Sequence, residues 1–147
     1  MLIGQYLSKL TEKDRISIPK KIRLELGEEL ILARWYEKCL VLVGKVTWKK
    51  LLTRLIGETD LIIEPVRDID RFILGLAFEI RLDRQGRFIL PKILLEYAGI
   101  KMDVVFIGLG DRVELWAKEE WEKLEKITEE KASKAVEKLA FRRSKKV

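Results

Sequence analysis

The chain has 147 residues, which is enough for one domain with a substantial core or for two half-sized units that share one. Hydrophobic residues make up 48% and charged residues 37% of it, so a disordered chain is excluded because enough apolar surface is available to offset chain entropy. The 30 basic and 24 acidic residues give a net charge of +6, which favours anionic partners without proving one.

The first half reads as two strands around a tight turn, a short helix, two further strands and a second helix. Alternating or continuous apolar residues mark the strands, and apolar residues at helical spacing mark the helices. The predicted elements, in chain order, are Gln5–Leu10, Arg15–Ile18, Lys20–Leu26, Leu30–Ala33, Leu40–Val43 and Thr47–Leu55. Pro19 stands at the strand-to-helix junction, where a missing amide is tolerated, and Gly27 falls where a helix end favours positive φ.

A connector follows the first half. The stretch from Gly57 to Pro65 is predicted to be a linker. The stretch from Val66 to Leu74 is predicted to form a short helix, because its apolar residues fall on one side of a helical pattern.

The second half repeats the order of the first. Its predicted elements are Phe78–Leu82, Arg87–Leu90, Lys92–Tyr97, Val104–Ile107, Val113–Trp116 and a helix from Lys118 to about Phe141. The basic run Arg142-Arg143-Ser144-Lys145-Lys146 comes last. We expect this run to be a frayed, solvated end, with contact to nucleic acid as the alternative.

Two segments, from Leu10 to Gly27 and from Leu82 to Gly99, follow one pattern at a constant offset of 72 residues. Identical residues occupy five pairs of positions: Leu10 and Leu82, Arg15 and Arg87, Pro19 and Pro91, Lys20 and Lys92, and Gly27 and Gly99. Such a match indicates an internal duplication. We therefore expect a first repeat over 1–57, a connector with a short helix over 58–75, and a second repeat with the final helix and basic tail over 76–147, all in one intertwined unit.

The turns between the first two strands of each half are candidates for function. In the second half the turn is Asp83-Arg84-Gln85-Gly86-Arg87, whose Asp and Gly are typical of a tight turn; in the first it is Thr11-Glu12-Lys13-Asp14-Arg15. The turn residues have diverged, yet the final arginine remains, which favours a role for its guanidinium. That group can grip a phosphate or pair with guanine in the major groove. The alternative is a hairpin turn with no further role.

Further basic residues surround these arginines, so each half presents a local basic cluster. The cluster residues are Lys13, Lys20, Lys21, Arg23, Arg84 and Lys92. Because they are concentrated near one turn in each half, they indicate a nucleic-acid contact more strongly than the net charge does.

Both segments resemble the paired Asp-x-x-x-Arg, Ile-Pro and helix–Gly signatures of the MraZ family, within the AbrB-like swapped-hairpin group. The resemblance covers essentially the whole chain. It extends to the opening Met1–Tyr6, to Leu40–Val43 before Trp48, and to Gly108–Trp116 before Trp121. It implies an α+β fold: a pseudo-twofold β-barrel made of two swapped hairpins, with flanking helices and with one loop from each half on the same face.

The resemblance also implies a function, that of a sequence-specific DNA-binding transcriptional regulator which assembles into a ring-shaped homo-oligomer. Its partner would be double-stranded DNA carrying repeated motifs upstream of its own operon for cell division and cell-wall synthesis. We therefore expect a cytoplasmic, nucleoid-associated protein.

Carried over by position, Asp83 and Arg87 match the family motif fully, whereas Thr11 departs from its Asp, so we expect the first loop to be weaker or differently shaped. The resemblance implies that Asp83 positions the arginine that follows it. The residues expected at the DNA are Arg15 and Arg87 in direct contact, Lys13 and Arg84 on flanking phosphates, and Asp83, Lys20 and Lys92 beside them.

Three other classes of protein fit the sequence less well. An enzyme is disfavoured because histidine is absent, which excludes Ser–His and Cys–His catalysis and most zinc sites, and because no G-x-x-x-x-G-K-[ST] phosphate loop is present. We expect no cofactor, metal or small-molecule substrate. A swapped-hairpin antitoxin that neutralises a toxin is the main alternative, and a purely structural ring is the third.

Neither export nor a membrane segment is expected. The opening MLIGQYLSKL lacks the continuous apolar run of a secretion signal. No apolar stretch approaches the roughly 20 residues that span a bilayer.

Overall fold

A computed structural model describes residues 1–57 and 63–145 of the chain. The strands are β1 (Leu2–Lys9), β2 (Arg15–Ser17), β3 (Leu30–Arg34), β4 (Leu40–Gly44), β5 (Phe78–Ile80), β6 (Arg87–Ile89), β7 (Asp103–Gly110) and β8 (Val113–Ala117). The helices are α1 (Lys20–Leu26), α2 (Lys45–Ile56), α3 (Glu64–Ile73), α4 (Lys92–Ala98) and α5 (Lys118–Ser144). Two 3₁₀ turns lie at Tyr36–Lys38 and Leu74–Leu76.

The elements predicted from the sequence are present, with ends that differ by up to a few residues. β1 begins at Leu2 rather than Gln5, and α3 already includes Pro65, which the sequence had assigned to the linker. Residues 58–62 of that linker lie outside the described residues, while Gly57 follows α2 and Glu64 is the first residue of α3. Arg142 and Arg143 belong to the last turn of α5, so the expectation of a frayed end is wrong for them; Lys146 lies outside the described residues.

The short helices α1 and α4 begin and end in corresponding ways. Pro19 and Pro91 are their N-cap residues, one position before the first helical residue, with ψ angles of 136° and 134° that continue the extended strand. Gly27 and Gly99 follow the helices with φ of 82° and 64°, as predicted. A residue with a β-carbon would be strained at either glycine.

All strand pairs are antiparallel. One sheet has six strands in the order β1-β7-β8-β4-β3-β5, and a second has the two strands β2-β6. β1 pairs with β7 alone and β5 with β3 alone, so the described strands leave the large sheet with two edges. The expectation of a closed β-barrel is therefore wrong, because no ladder joins β1 to β5. The mixed α+β class predicted from the sequence is confirmed.

Several ladders join strands from opposite halves of the sequence. β1 of the first half runs beside β7 of the second, from Leu2↔Gly110 to Lys9↔Asp103. β5 of the second half runs beside β3 of the first, from Leu30↔Ile80 to Leu32↔Phe78. β4 of the first half pairs with β8 of the second, and β2 of the first half pairs with β6 of the second in the separate two-stranded sheet. Each half thus completes a sheet begun by the other.

The main core is built from both halves. Its fully buried members include Ile16, Leu32 and Leu42 from the first and Phe106 and Leu115 from the second. Burying one such side chain contributes about 1.5–3 kcal/mol. Both halves therefore contribute to a single core.

The described residues divide into two compact units. The first is Met1–Ala117, which contains both sheets, and the second begins at Lys118 and contains α5. Along the described part of the chain, none of the helices combines the length and apolar character that crossing a membrane requires.

Candidate nucleic-acid interface

The ladder between β2 and β6 brings Arg15 and Arg87 to one face. In its register Ile16 lies opposite Phe88, and both side chains are buried, with 0% and 3% of their surface exposed. Since successive side chains of a strand point to opposite faces, the arginines that precede these two residues point away from the core on the same side. Arg15 pairs with Ile89 and Arg87 with Ser17. The two arginines are therefore diagonal neighbours in the ladder, a relation in which Cα atoms are roughly 7–8 Å apart.

In the second loop, the carboxylate of Asp83 organises the turn. Its Oδ1 accepts hydrogen bonds from the backbone amides of Gln85 and Arg87, both at 2.9 Å. Its Oδ2 accepts a bond of 2.9 Å from Arg87 Nε, which is also an ion pair. Gly86 has a φ of 75° and donates its amide to the carbonyl of Asp83 at 3.0 Å. One side chain therefore fixes both the backbone of the turn and the direction of its arginine.

The ion pair leaves most of the Arg87 guanidinium available. Only Nε is bonded to Asp83, and within the part of the chain that the structure describes neither terminal nitrogen has a hydrogen-bond partner. The Arg87 side chain is 30% exposed. The backbone hydrogen bond from Arg87 is the largest cause that holds the pKa of Asp83 below its ordinary value, and the side-chain bond from Arg87 lowers it further. Asp83 is therefore ionised at neutral pH and keeps the guanidinium in place.

The first loop reaches the same backbone arrangement with different residues. The Thr11 hydroxyl accepts a bond of 3.2 Å from the amide of Arg15, as Asp83 Oδ1 does from Arg87. Asp14 takes the position of Gly86, with a φ of 57°, and donates its amide to the Thr11 carbonyl at 3.0 Å. Thr11 has no second oxygen to bond a guanidinium. The side chain of Arg15 accordingly has no partner among the described residues.

One further backbone hydrogen bond joins each loop to the opposite half of the chain. The amide of Ile18 donates to the carbonyl of Gly86 at 3.0 Å, and the amide of Leu90 donates to the carbonyl of Asp14 at 2.8 Å. These bonds extend the ladder between β2 and β6 at both ends. Both loops are thus fixed side by side at the ends of one short two-stranded ribbon.

The other basic residues predicted at the interface are exposed and have no ion-pair partner in the described ranges 1–57 and 63–145. Lys13 and Arg84 lie on the two loops, while Lys20 and Lys92 are the first residues of α1 and α4. Their positions follow the repeat only in part, since the position matching Lys13 is Gln85 and the position matching Arg84 is Glu12. Each loop therefore carries one cation in addition to its arginine.

Arg23 contacts the second loop in a way that the sequence did not indicate. Its Nη1 donates a hydrogen bond of 3.2 Å to the carbonyl of Gln85, and its guanidinium lies against Gly86. The sequence placed Arg23 in the basic cluster without a separate role. A signal was available, because the matching position in the second repeat is the apolar Leu95.

Other chemistry has little support in the described residues. Among them, no group of three or more Cys, Asp or Glu side chains is arranged to hold a metal ion. Cys39 is fully buried, and burial strongly raises the pKa of its thiol, so the thiolate is disfavoured.

The chain is similar to a family of known proteins over most of its length. The family model described as "MraZ protein, putative antitoxin-like" matches residues 73–143. A protein of Caldanaerobacter subterraneus subsp. tengcongensis named "Transcriptional regulator MraZ" is 40% identical over 129 residues, which are 88% of this chain and 90% of the relative.

A protein of Dehalococcoides mccartyi with the same name is 38% identical over 140 residues, 95% of this chain and 98% of the relative. One of Clostridium tetani, again so named, is 38% identical over 122 residues, 83% and 85% of the two chains. Identity at this level over nearly whole chains establishes common descent, and the chain belongs to the MraZ family.

Proposed function

We propose that this member of the MraZ family is a sequence-specific, DNA-binding transcriptional regulator. The observation that carries the proposal is the placement of Arg15 and Arg87 on one outward face of the ribbon β2-β6. The family's relatives, named transcriptional regulators, support the same function.

The geometry of the ribbon suits the major groove of B-DNA. That groove is about 12 Å wide and admits a two-stranded β-ribbon. Arg87, held at Nε by Asp83, presents its two terminal nitrogens, the arrangement that pairs with the O6 and N7 of guanine or with a phosphate. Arg15 takes the corresponding role for the first loop. Lys13 and Arg84 contact flanking phosphates, and Lys20 and Lys92 add positive charge beside them.

A ring-shaped homo-oligomer would compensate for the weak DNA affinity of each single subunit. Non-specific phosphate contacts alone give dissociation constants of roughly 10⁻⁴ to 10⁻⁶ M at physiological salt. Several subunits that engage consecutive repeats can raise the avidity by about 10² to 10⁴ without new contacts. The target is proposed to be repeated motifs upstream of the protein's own operon for cell division and cell-wall synthesis. A DNA target also implies a cytoplasmic, nucleoid-associated protein.

The organisation we propose for the chain is a pair of swapped-hairpin repeats. The first covers 1–57 and the second 76–147, with 58–75 as connector. The strand pairs β1-β7 and β5-β3, which join opposite halves, support an exchange of strands between the repeats. Both loops then belong to a single DNA-binding surface, and no cofactor or catalytic residue is assigned.

A second candidate is an antitoxin, favoured by the wording "antitoxin-like" in the description of the family model. Against it stand the duplicated repeat within one chain and the helix α5, which occupies the region where an antitoxin of the swapped-hairpin group carries a disordered tail. Co-purification of a small ribonuclease from the native host would favour this candidate over the first.

The most direct test is binding to the DNA upstream of the protein's own gene, with the repeats removed one at a time. We expect affinity to fall steeply with each repeat removed and with increasing salt, and native mass measurement to give a multiple of 17.3 kDa. If a single isolated repeat bound as tightly as three, the avidity mechanism would be wrong.

A further inference from the structure

We propose that Arg23 is a positioning residue for the second DNA-binding loop, which it holds in shape from the other half of the molecule. The inference rests on the proposed function of that loop. Arg23 then affects DNA binding by holding the loop that carries Arg87, and it makes no DNA contact of its own.

The contact joins elements that are far apart in sequence. Arg23 lies in the middle of α1, and its Nη1 donates to the carbonyl of Gln85 at 3.2 Å. A guanidinium is a charge-assisted donor with several N–H groups, so this bond is stronger than one between neutral groups. Gln85 is the residue whose amide is bonded to Asp83, so Arg23 fixes the same peptide segment from the opposite side.

The loop is shaped to receive this arginine. A β-carbon on Gly86 would overlap the Arg23 guanidinium, and the φ of 75° at Gly86 independently disfavours any other residue. The turn therefore has the smallest possible side chain at the place where Arg23 lies against it. The guanidinium and the turn fit together as one packed unit.

The first loop lacks this support, although the backbone of the two loops is alike. The position that matches Arg23 in the second repeat is Leu95, which is 7% exposed and belongs to the core. The residue that matches Gly86 is Asp14, which carries a side chain. Since Thr11 also cannot hold the guanidinium of Arg15, the first loop has fewer constraints on both its backbone and its arginine.

The two loops are consequently unequal. The second is ordered before DNA arrives, so it loses little entropy on binding and discriminates between sequences. The first adjusts to the DNA that the second has selected. Arg23 contributes to this difference together with Asp83, because Leu95 and Thr11 take their places in the other repeat.

The first measurement uses the full-length free protein and needs no DNA. Amide hydrogen exchange is compared between the native protein and Arg23→Met, with Arg71→Met as the matched control, since Arg71 is an exposed arginine on α3. We expect exchange at Gln85, Gly86 and Arg87 to become faster by at least roughly fivefold, because loss of an ordinary hydrogen bond already corresponds to that factor and this bond has a charged donor, while residues 13–15 and the control stay unchanged. Unchanged exchange at 85–87 would overturn the proposal.

The second measurement separates positioning from direct contact. In Arg23→Met we expect the preference for the native upstream DNA over a scrambled duplex to fall by roughly fivefold, with an unchanged salt slope. A contact between Arg23 and a phosphate would instead reduce that slope by about 0.9. In the double variant with Arg87→Ala, we expect Arg23→Met to add no further loss; additive losses would contradict an action through Arg87.

These outcomes remain distinct from failure of the proposed function. If Arg87→Ala left DNA binding unaltered, the DNA-binding role of the loop would be wrong. The exchange experiment would still report whether Arg23 orders the loop. Conversely, normal exchange in Arg23→Met together with weak binding in Arg87→Ala would overturn only the role of Arg23.

Discussion

The amide of Ile18, in the first half of the chain, donates a hydrogen bond of 3.0 Å to the carbonyl of Gly86, in the turn of the second half. In the corresponding bond, the amide of Leu90 donates to the carbonyl of Asp14 at 2.8 Å. These two bonds keep the loops in a fixed relation to each other. A substitution in one loop should therefore leave the position of the other loop unchanged.

Removing the arginines should weaken DNA binding unequally. We expect Arg87→Ala to cost about 1–3 kcal/mol, a loss of roughly 5-fold to 150-fold in affinity, because Asp83 already aims this guanidinium outward. Arg15→Ala should cost less, since nothing orients Arg15 in advance. Fluorescence anisotropy with labelled upstream DNA gives both values, with Arg71→Ala as a control expected to bind normally. Equal losses at the two positions would contradict the inequality of the loops.

The Asp83 variant should separate the shape of the turn from the direction of its arginine. In Asp83→Asn the remaining oxygen can still accept the backbone bonds, but the amide nitrogen faces Arg87 Nε, so two donors oppose each other. We expect a roughly fivefold loss of DNA affinity with little change in circular dichroism. An affinity equal to that of the native protein would show that the ion pair does not orient Arg87.

Lowering the pH should reduce the stability of the folded protein, because it protonates the carboxylate of Asp83. The folded-state pKa of Asp83 lies below its ordinary value of 3.8, so its contribution to stability is fully present above that value and is lost as the pH falls through the lower, folded pKa. Urea unfolding between about pH 5 and pH 2 should therefore show a shallower loss of stability in Asp83→Asn than in the native protein. Identical slopes would mean that Asp83 is not stabilised in its ionised form.

A single substitution should make the first loop resemble the second. Thr11→Asp supplies one oxygen for the amide of Arg15 and a second for its guanidinium, as Asp83 does for Arg87. We expect the affinity for upstream DNA to rise by roughly fivefold. Thr11→Asn is the matched control, because it can accept the backbone bond without holding the guanidinium. Weaker binding by Thr11→Asp than by this control would indicate that added negative charge outweighs orientation.

Gly86, which is buried in its turn, should tolerate substitution poorly. Gly86→Ala places a β-carbon at positive φ and against the Arg23 guanidinium, so we expect a loss of about 1–2 kcal/mol in the free energy of unfolding. Gly75→Ala is the control, since space around Gly75 is open, and its effect should stay within about 0.5 kcal/mol. Urea denaturation measures both. Equal stabilities of the two variants would contradict the packing described for the loop.

The sequence predicted local structure well where apolar spacing was regular. Helix α1 has the predicted bounds, and the copies of the strand-turn-strand unit are where the repeat placed them. The start of β1 was missed because Gly4 and Gln5 interrupt its apolar pattern. Pairing was harder to foresee, since alternation shows which face of a strand is buried and says nothing about which strand lies beside it. The open sheet edges follow from that pairing.

For the candidate interface, the sequence singled out the arginines and predicted a weaker or differently shaped turn between Thr11 and Arg15. Its different residues suggested a changed conformation. In the structure the Thr11 hydroxyl replaces one carboxylate oxygen, and Asp14 adopts the positive φ that Asp tolerates better than most residues. The mismatch between Arg23 and Leu95 marks Arg23 in the sequence, but its partner Gln85 could not be predicted, because the contact spans 62 residues of sequence.

The long pairing of β1 with β7 has a consequence for how the protein is made. Leu2 leaves the ribosome long before its partner Gly110, because more than 100 residues separate them. During that interval an apolar strand has exposed, unbonded amides and carbonyls, a state that favours association with other nascent chains. Closing a loop of this size also slows folding. The interval before β1 meets β7 should therefore be the one in which the nascent chain most needs a chaperone.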